Sequence, residues 1–329
     1  MVGYTLGGGL PVLGRAYGYA ADRVHSFQVV TPDATLRTAT ADTEPDLFWA
    51  LRGGKGNVGV VTELTFDLFP LATVLGGGVY FAGEHAEAVL RTWADWTTTL
   101  PTQMCSAYTL LRLPPIPQIP EPLRGGFWAR VALAWTGDAD EGEKLLAPIR
   151  AAAPVAFDTV EEMPYAAMDR IYMDPQDPLP AREACSLLRS LPADAVPAFL
   201  AHAGPAAPDL PLLLVELRHM GGELSRPASV EDAICARDAG YVLGTVGMLP
   251  GPEATAAVEA ATATLHGAPG DEKDRARAWT EEVYTRLSRT KSKYDPSNLL
   301  RFGHTVAATS SLTTAPSSPS AAPSSPSGV

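Results

Sequence analysis

The sequence has little of what several classes of protein require. Its 329 residues include three cysteines, Cys105, Cys185 and Cys235, without a CxxC pair. Neither a disulfide framework nor a zinc ribbon is expected, and a reducing, cytoplasmic location is favoured. Lys and Arg number 25 against 37 Asp and Glu, so the net charge of −12 disfavours nucleic acid as a partner. No stretch approaches the ~18 uninterrupted apolar residues of a membrane span, and no secretory signal is visible, so no membrane partner is expected.

The balance of hydrophobic and charged residues indicates a globular chain. With 46 % hydrophobic and 19 % charged residues, the chain can bury a sizeable core. Its length predicts about two domains. The six histidines show no HxH or HxxxH pairing, so no metal site is expected.

Local patterns in the first 70 residues predict a small β-rich unit. The predicted elements are a hairpin of strands at 24–31 and 36–40, a helix at 45–52 and a strand at 58–66. Pro45 is typical of a first helical position, and Gly53 of a helix end. Alternation in the last strand predicts one shared face for Val60, Thr62, Leu64 and Phe66.

Beyond residue 71, longer strands alternate with helices, which predicts an α+β region around one sheet. The strands are predicted at 74–81, 104–113, 127–135, 211–219 and 240–248, and the helices at 84–99, 138–150, 251–265 and 272–291.

Two glycine-rich stretches match nucleotide-binding motifs only in part. Residues 54–59 spell GxGxxG, but a helix precedes and a strand follows, the reverse of a dinucleotide fingerprint. The HRD and DFG triplets of kinases are absent. Residues 9–14 have the spacing of a phosphate loop, yet Arg15 stands where that loop requires Lys. The glycines at 7–9 still expose backbone N–H groups that suit a diphosphate or the edge of a flat ring.

Five segments occur together in one order: GYTLGGG at 3–9, RAYGYAAD at 15–22, VVTPDA at 29–34, PDLFWALRGGKGNVGVVTELTF at 45–66 and SRTKSKYDPSNLLRF at 288–302. Over residues 1 to about 306 the chain resembles the berberine-bridge-enzyme-like branch of the vanillyl-alcohol oxidase / p-cresol methylhydroxylase (PCMH) flavoproteins. The resemblance implies an FAD-dependent oxidoreductase acting on a small-molecule substrate. In such chemistry, hydride passes from a substrate C–H next to oxygen or nitrogen to flavin N5, with O₂ as acceptor.

The same resemblance implies an α+β fold, in which the second half of a PCMH-type FAD-binding domain precedes a substrate domain with a large antiparallel sheet covered by helices. It assigns residues 1–71 to the C-terminal FAD subdomain, 72–283 to the substrate domain and 284–306 to a returning segment. Residues 307–329 remain as a tail that is mainly Ser, Pro, Ala and Thr, a composition typical of disorder.

The resemblance also implies which residues form the cofactor wall, with backbone N–H groups rather than Lys or Arg neutralising the diphosphate. These residues are Leu6, Gly7, Gly8, Gly9, Asp22, Gly53, Gly54, Asn57, Gly59, Val60 and Val61.

The sequence departs from the family at several positions. Members of the family carry a further N-terminal FAD subdomain, so the chain is expected to be truncated and its missing half to come from the full-length gene product. Without that subdomain, an apolar face of residues 1–71 is expected to be exposed. Pro11 stands where glycine is usual, Arg23 where Asn or Gln is, and Ala34 at an expected Asp-Gly turn.

No catalytic base follows from the resemblance, because the family's Tyr-x-Asn motif is absent between residues 247 and 284. The strand pattern offers Tyr108, Glu216 and Arg218 as candidates. Glu216 and Arg218 share a strand face by the period of two, and a structural ion pair with neighbouring strands is favoured over a catalytic role. Two other functions stay open: a non-catalytic remnant that binds a small molecule, and a nucleotide-binding or kinase-like module.

Overall fold

Two antiparallel sheets organise the chain. The computed structural model describes residues 1–117, 119–173, 177–267, 278–301 and 303–308. Its helices are α1 (Val2–Leu6), α2 (Gly14–Tyr17), α3 (Pro45–Leu51), α4 (Ala86–Thr97), α5 (Ala139–Arg150), α6 (Ala195–Ala203), α7 (Pro252–His266) and α8 (Glu281–Tyr294). Its strands are β1 (Val24–Val30), β2 (Leu36–Ala39), β3 (Val60–Phe66), β4 (Thr73–Ala82), β5 (Met104–Arg112), β6 (Phe127–Trp135), β7 (Val155–Asp158), β8 (Glu161–Pro164), β9 (Ala181–Leu188), β10 (Leu214–His219) and β11 (Tyr241–Met248). The α+β class with a large antiparallel sheet is confirmed.

The small sheet has the order β2-β1-β3, and its register corrects one prediction. Gln28 pairs with Glu63 but Val29 pairs with Val61, so Thr62 is the extra residue of a bulge. A bulge reverses which side chains face the core. Val61 therefore packs against the core, and Val60 is 59 % exposed, so the predicted shared face that included Val60 is wrong.

Helices α3 and α8 enclose the core of this small unit. Phe27, Phe48 and Leu287 are buried together there. At the end of α8 a fully buried ion pair joins Lys291 Nζ to Asp295 Oδ2 at 2.8 Å, and Asp295 also accepts the backbone N–H groups of residues 299 and 300. The carboxylate therefore fixes how the chain leaves the helix.

The large sheet has the order β7-β4-β6-β5-β10-β11-β9, with β8 pairing to β4. One face packs against α4, α5, α6 and α7 around the fully buried Trp93. On the other face, the short 3₁₀ helix Tyr165–Ile171 and Leu13 cover β4, β5 and β6. Residues at the β9 edge of that second face are exposed.

The end of the chain differs in detail from the predicted elements. The helix predicted at 272–291 begins after Thr280, whose hydroxyl caps it by accepting the Val283 N–H. Residues 268–277 and the predicted tail from 309 onward lie outside the described residues. Ala308, which the sequence assigned to the tail, is buried. In the described part of the chain, no helix combines the length and the apolar character needed to cross a bilayer.

The predicted exposure of apolar surface on residues 1–71 is observed. Leu68 is 82 % exposed, Met1 75 % and Tyr4 46 %. These three side chains line a cavity of about 440 Å³ together with Tyr17 and Phe69, whose rings stack at 4.0 Å. An apolar cavity of this size is in the ~300–1,000 Å³ range of small-molecule sites.

Candidate cofactor and substrate site

Backbone hydrogen bonds join the two glycine-rich loops. Helix α1 ends at Leu6, and the Leu6 carbonyl accepts the N–H groups of Gly53 at 3.1 Å and Lys55 at 2.9 Å. The carbonyls of Gly8 and Gly9 accept N–H groups from residues 20–21. The loops at 6–9, 20–22 and 53–55, far apart in sequence, therefore form one wall.

The space that side chains would occupy along this wall is already filled by protein. A Cβ at Gly9, where φ is +71°, would lie 2.7 Å from the Tyr4 ring. A Cβ at Gly53, where φ is +114°, would lie 2.7 Å from the Ala233 carbonyl carbon and the Ile234 nitrogen. Close packing of the chain on itself therefore explains these glycines. The same holds for Gly54 against the Ala50 carbonyl, Gly59 against Val29 and Gly8 against Ile234.

This wall also contains donors that suit an anion. Lys55 holds a left-handed φ of +61°, and its Nζ lies 3.3 Å from the Cβ position of Gly7. Within the described ranges Lys55 has no acidic partner, and the N–H groups of Gly9 and Gly56 donate to no other residue. An ammonium beside free backbone donors suits a diphosphate. Lys55 is not among the residues that the sequence resemblance implies, because there backbone N–H groups alone neutralise the diphosphate.

Two further residues predicted for the cofactor wall, Asp22 and Asn57, make contacts within the protein. Asp22 forms an ion pair with Arg237 at 2.6 Å, and Arg237 also pairs with the nearly buried Asp232 at 2.5 Å. Burial raises the pKa of Asp232. Asn57 donates to the carbonyls of Gly54 and His304 and accepts the N–H of residue 306. Both residues fasten this wall to later parts of the chain.

A row of polar side chains crosses the second face of the large sheet. Tyr80, Arg130, Thr109 and Glu216 occupy adjacent strands in register, and we call them the polar row. Arg218 lies two residues further along β10 and points to the same face. Its guanidinium donates to Glu216 Oε1 at 2.9 and 3.1 Å, so the expectation of one shared face is confirmed.

Glu216 is the carboxylate of the polar row, and it is held by three donors or cations. Its Oε2 accepts from Thr109 Oγ1 at 3.2 Å and lies 3.8 Å from Arg130 Nη2. The guanidinium groups of Arg130 and Arg218 both lie 5.3 Å from the Tyr172 ring centroid. Burial raises the pKa of Tyr172 to about 12, so its phenol stays protonated at neutral pH. Glu216 is thus the acidic side chain of the polar row, held beside two guanidinium groups.

Tyr108 is not part of the polar row. It points to the opposite face of the sheet, where it is fully buried against α4 and donates to the Ala86 carbonyl at 2.8 Å. Burial raises the pKa of Tyr108 well above its usual value. The structure therefore makes Tyr108 a core residue and separates it from Glu216 and Arg218.

The glycine loop and the end of β10 meet at a small cavity. Leu10 and Pro11, directly after the glycines, line it together with Arg218 and His219. Arg15 donates to the Met104 carbonyl at 2.8 Å and lies 3.0 Å from His219 Nε2. Burial, together with the Arg15 charge, lowers the pKa of His219 to about 3. Buried side chains thus link the glycine-rich wall to the second face of the large sheet.

The structure thus combines an α+β fold, a glycine-rich wall and a polar sheet face, a combination that suits a cofactor-binding protein. No protein-family model matches the chain. It is 24 % identical to an uncharacterised FAD-linked oxidoreductase, YgaK, of Bacillus subtilis, over 93 % of this chain and 70 % of that protein. It is also 52 % identical to the FAD-linked oxidoreductase ffsJ of Aspergillus flavipes over 71 residues, or 21 % of this chain and 12 % of that protein.

Solved structures show the same fold. The berberine-bridge-enzyme-like protein 1 of Physcomitrella patens matches with a TM-score of 0.75 and 17 % identity, over 92 % of this chain and 69 % of that one. A chitooligosaccharide oxidase matches with a TM-score of 0.76 and 17 % identity, over 93 % and 71 %. The chain is therefore a relative of the FAD-linked oxidoreductases with the fold of berberine-bridge-enzyme-like proteins, and the resemblance found in its motifs is confirmed.

The described residues fit one wall of an FAD site. Lys55 and the N–H groups of Gly9 and Gly56 have the chemistry that a diphosphate requires. The aromatic cavity beside Tyr4 and Tyr17 suits a flat ring system. Among the described residues, no group of three or more His, Cys, Asp and Glu is arranged to hold a metal ion.

Proposed function

We propose that the protein is an FAD-dependent oxidoreductase in which Glu216 accepts a proton from a small-molecule substrate. The observation that carries this proposal is the position of Glu216. Its carboxylate is held between Arg130 and Arg218 on the sheet face that meets the glycine-rich wall. A carboxylate can act as a proton acceptor, and the two guanidinium groups fix the position of this one.

In this proposal different residues bind the cofactor and act on the substrate. Lys55 and the free N–H groups of the wall would hold the diphosphate of FAD. When bound, FAD supplies an acceptor for hydride at its N5, with O₂ as the final oxidant. Glu216 Oε2 would accept the proton of a substrate hydroxyl or amine, and Arg130 would stabilise the carboxylate's position.

The remainder of the cofactor site is proposed to come from the full-length gene product. The chain spans 69 to 71 % of the solved relatives described above. A further subdomain would pack against the exposed apolar surface at Met1, Tyr4 and Leu68. The filled space over Gly8, Gly9 and Gly53 favours a second candidate, a small-molecule-binding protein without catalysis.

Substrate-dependent O₂ consumption of the FAD-loaded protein tests the proposal across a panel of alcohols and amines. We expect Glu216→Gln to lower kcat about 10²- to 10⁴-fold, the usual contribution of a general base. FAD affinity should be unchanged, because the proposal assigns Glu216 to the substrate and Lys55 with the backbone N–H groups to the cofactor. Glu183→Gln is the matched control, since Glu183 is an exposed carboxylate on β9, two strands away from β10 in the same sheet. Equal activity of the wild type and Glu216→Gln would exclude Glu216 as the base.

A further inference from the structure

A second cavity lies at the end of the large sheet that is farther from the glycine-rich wall. Its volume is about 440 Å³, within the ~300–1,000 Å³ range of small-molecule sites. Leu213, directly before β10, lines it, whereas Arg218 and His219 at the other end of β10 line the cavity beside the glycine loop. A strand rises ~3.4 Å per residue, so Leu213 and Arg218 are about 17 Å apart. The second cavity is therefore separate from the candidate cofactor and substrate site.

The walls of this second cavity are apolar except at one position. Leu113, Phe127, Leu213 and Met248 are among the side chains that line it. Among the described lining residues, Arg112 alone is charged. A ligand there would meet one cation and otherwise mainly hydrocarbon surface.

Arg112 is held at the C-terminal end of α6. Its Nη2 donates to the carbonyls of Ala203 at 2.8 Å, Gly204 at 3.1 Å and Ala207 at 3.0 Å. Its guanidinium carbon lies 4.5 Å from the centroid of the Phe127 ring. These contacts fix the orientation of the guanidinium group.

The other side of the same guanidinium group lacks a partner. Arg112 Nη1 is buried and has no hydrogen-bond partner among the described residues. Burial lowers the pKa of Arg112, and no described carboxylate offsets this effect. Arginine nevertheless stays protonated at neutral pH. The cavity wall thus carries a positive charge that the described part of the chain does not balance.

We infer that this cavity binds a small monocarboxylic acid with an apolar body, whose carboxylate meets Arg112. Guanidinium and carboxylate groups match in charge and in hydrogen-bonding geometry. One cation balances a monoanion, whereas a phosphate monoester carries about −1.5 to −2 charges and would keep an unbalanced charge among apolar walls. The apolar body would be removed from water by side chains such as Leu113 and Met248. This site is independent of the proposed oxidoreductase activity.

The test is isothermal titration of the full chain with octanoate, 1-octanol and acetate. We expect saturable binding of octanoate. Binding of 1-octanol should be about tenfold weaker, equivalent to ~1.4 kcal/mol, because it lacks the charge that pairs with Arg112. Acetate should not bind measurably, because it lacks the apolar body. Octanoate should also raise Tm, since a ligand that binds only the folded state stabilises it.

Two variants locate the site. Arg112→Met should weaken octanoate binding at least tenfold, but it also removes the hydrogen bonds to the end of α6. Met248→Glu leaves those bonds in place and adds a carboxylate to the cavity wall, so it should weaken octanoate binding about tenfold without lowering Tm. Met173→Glu is the matched control, because Met173 is an exposed methionine that does not line the cavity.

Three results would overturn the inference: no binding of octanoate, equal affinity for octanoate and 1-octanol, or unchanged octanoate affinity in Met248→Glu. The last result would mean that octanoate binds elsewhere, for example at the exposed apolar surface around Tyr4 and Leu68. The proposed function is tested separately by FAD binding, measured from the flavin spectrum. Octanoate binding that is lost in Met248→Glu supports the inference whether or not FAD binds.

Discussion

The glycine-rich corner at residues 53–59 provides a matched pair of substitutions. A Cβ at Gly54 would overlap the Ala50 carbonyl oxygen and a methyl group of Leu287. The carbonyl is held in place because it accepts the Gly54 N–H at 2.9 Å. A Cβ at Gly56, two residues later, meets nothing within 4 Å. The same chemical change therefore has opposite expected effects at two positions of one loop.

We expect Gly54→Ala to lower the free energy of unfolding by ~3 kcal/mol, the upper part of the range for overpacking, because backbone cannot retreat as a side chain can. Gly56→Ala should be neutral or stabilise by ~0.4–1 kcal/mol, since alanine restricts the unfolded chain. Urea denaturation followed by circular dichroism measures both. With an m-value of ~3 kcal/mol/M, the midpoint of Gly54→Ala should fall by about 1 M. Equal midpoints for the two variants would refute the packing of Gly54 against Ala50 and Leu287.

Three further outcomes are expected. Lys55→Met should weaken FAD binding about tenfold in a flavin-fluorescence titration, and exposed Lys144→Met should not. Arg237→Met should lower the free energy of unfolding by ~3–5 kcal/mol in urea denaturation, because it leaves Asp22 and Asp232 without their shared cation. Arg189→Met, which removes an exposed ion pair, should lower it by less than ~0.5 kcal/mol. Between pH 6.5 and about 3 the unfolded chain binds a proton at His219 that the folded chain excludes. The free energy of unfolding should therefore decrease as the pH is lowered, by up to ~1.4 kcal/mol per pH unit from this residue, and His219→Gln should remove this contribution.

Local signals in the sequence were sufficient for the small sheet and for most strands and helices of the large one. Pro45 and Gly53 predicted the two ends of a helix, and the structure has that helix at Pro45–Leu51. This prediction succeeds because the signals that start and end a helix act within a few residues. The face of β3 could not be predicted, since a bulge at Thr62 depends on pairing with β1. Alternation alone gives two faces without saying which one meets the helices.

The candidate site was predicted only in part, for a related reason. Glu216 and Arg218 follow from the period of a strand, but their partner Arg130 lies two strands away and 86 residues earlier in the chain. Asn57 belongs to a conspicuous glycine motif, yet its partners are the backbone of residues 54, 304 and 306. A motif names the residues of a loop, whereas long-range contacts decide what each residue does. Tyr108 shows the same limit, because register assigns it to the core.

We propose that this chain contributes one wall of an FAD site beside an oxidising centre. The most direct test is the visible absorption spectrum of the purified protein after incubation with FAD and gel filtration. We expect flavin absorbance to co-elute with the protein, and we expect Lys55→Met to lower the flavin-to-protein ratio. A colourless protein peak at saturating FAD, from a chain that is folded by circular dichroism, would contradict it.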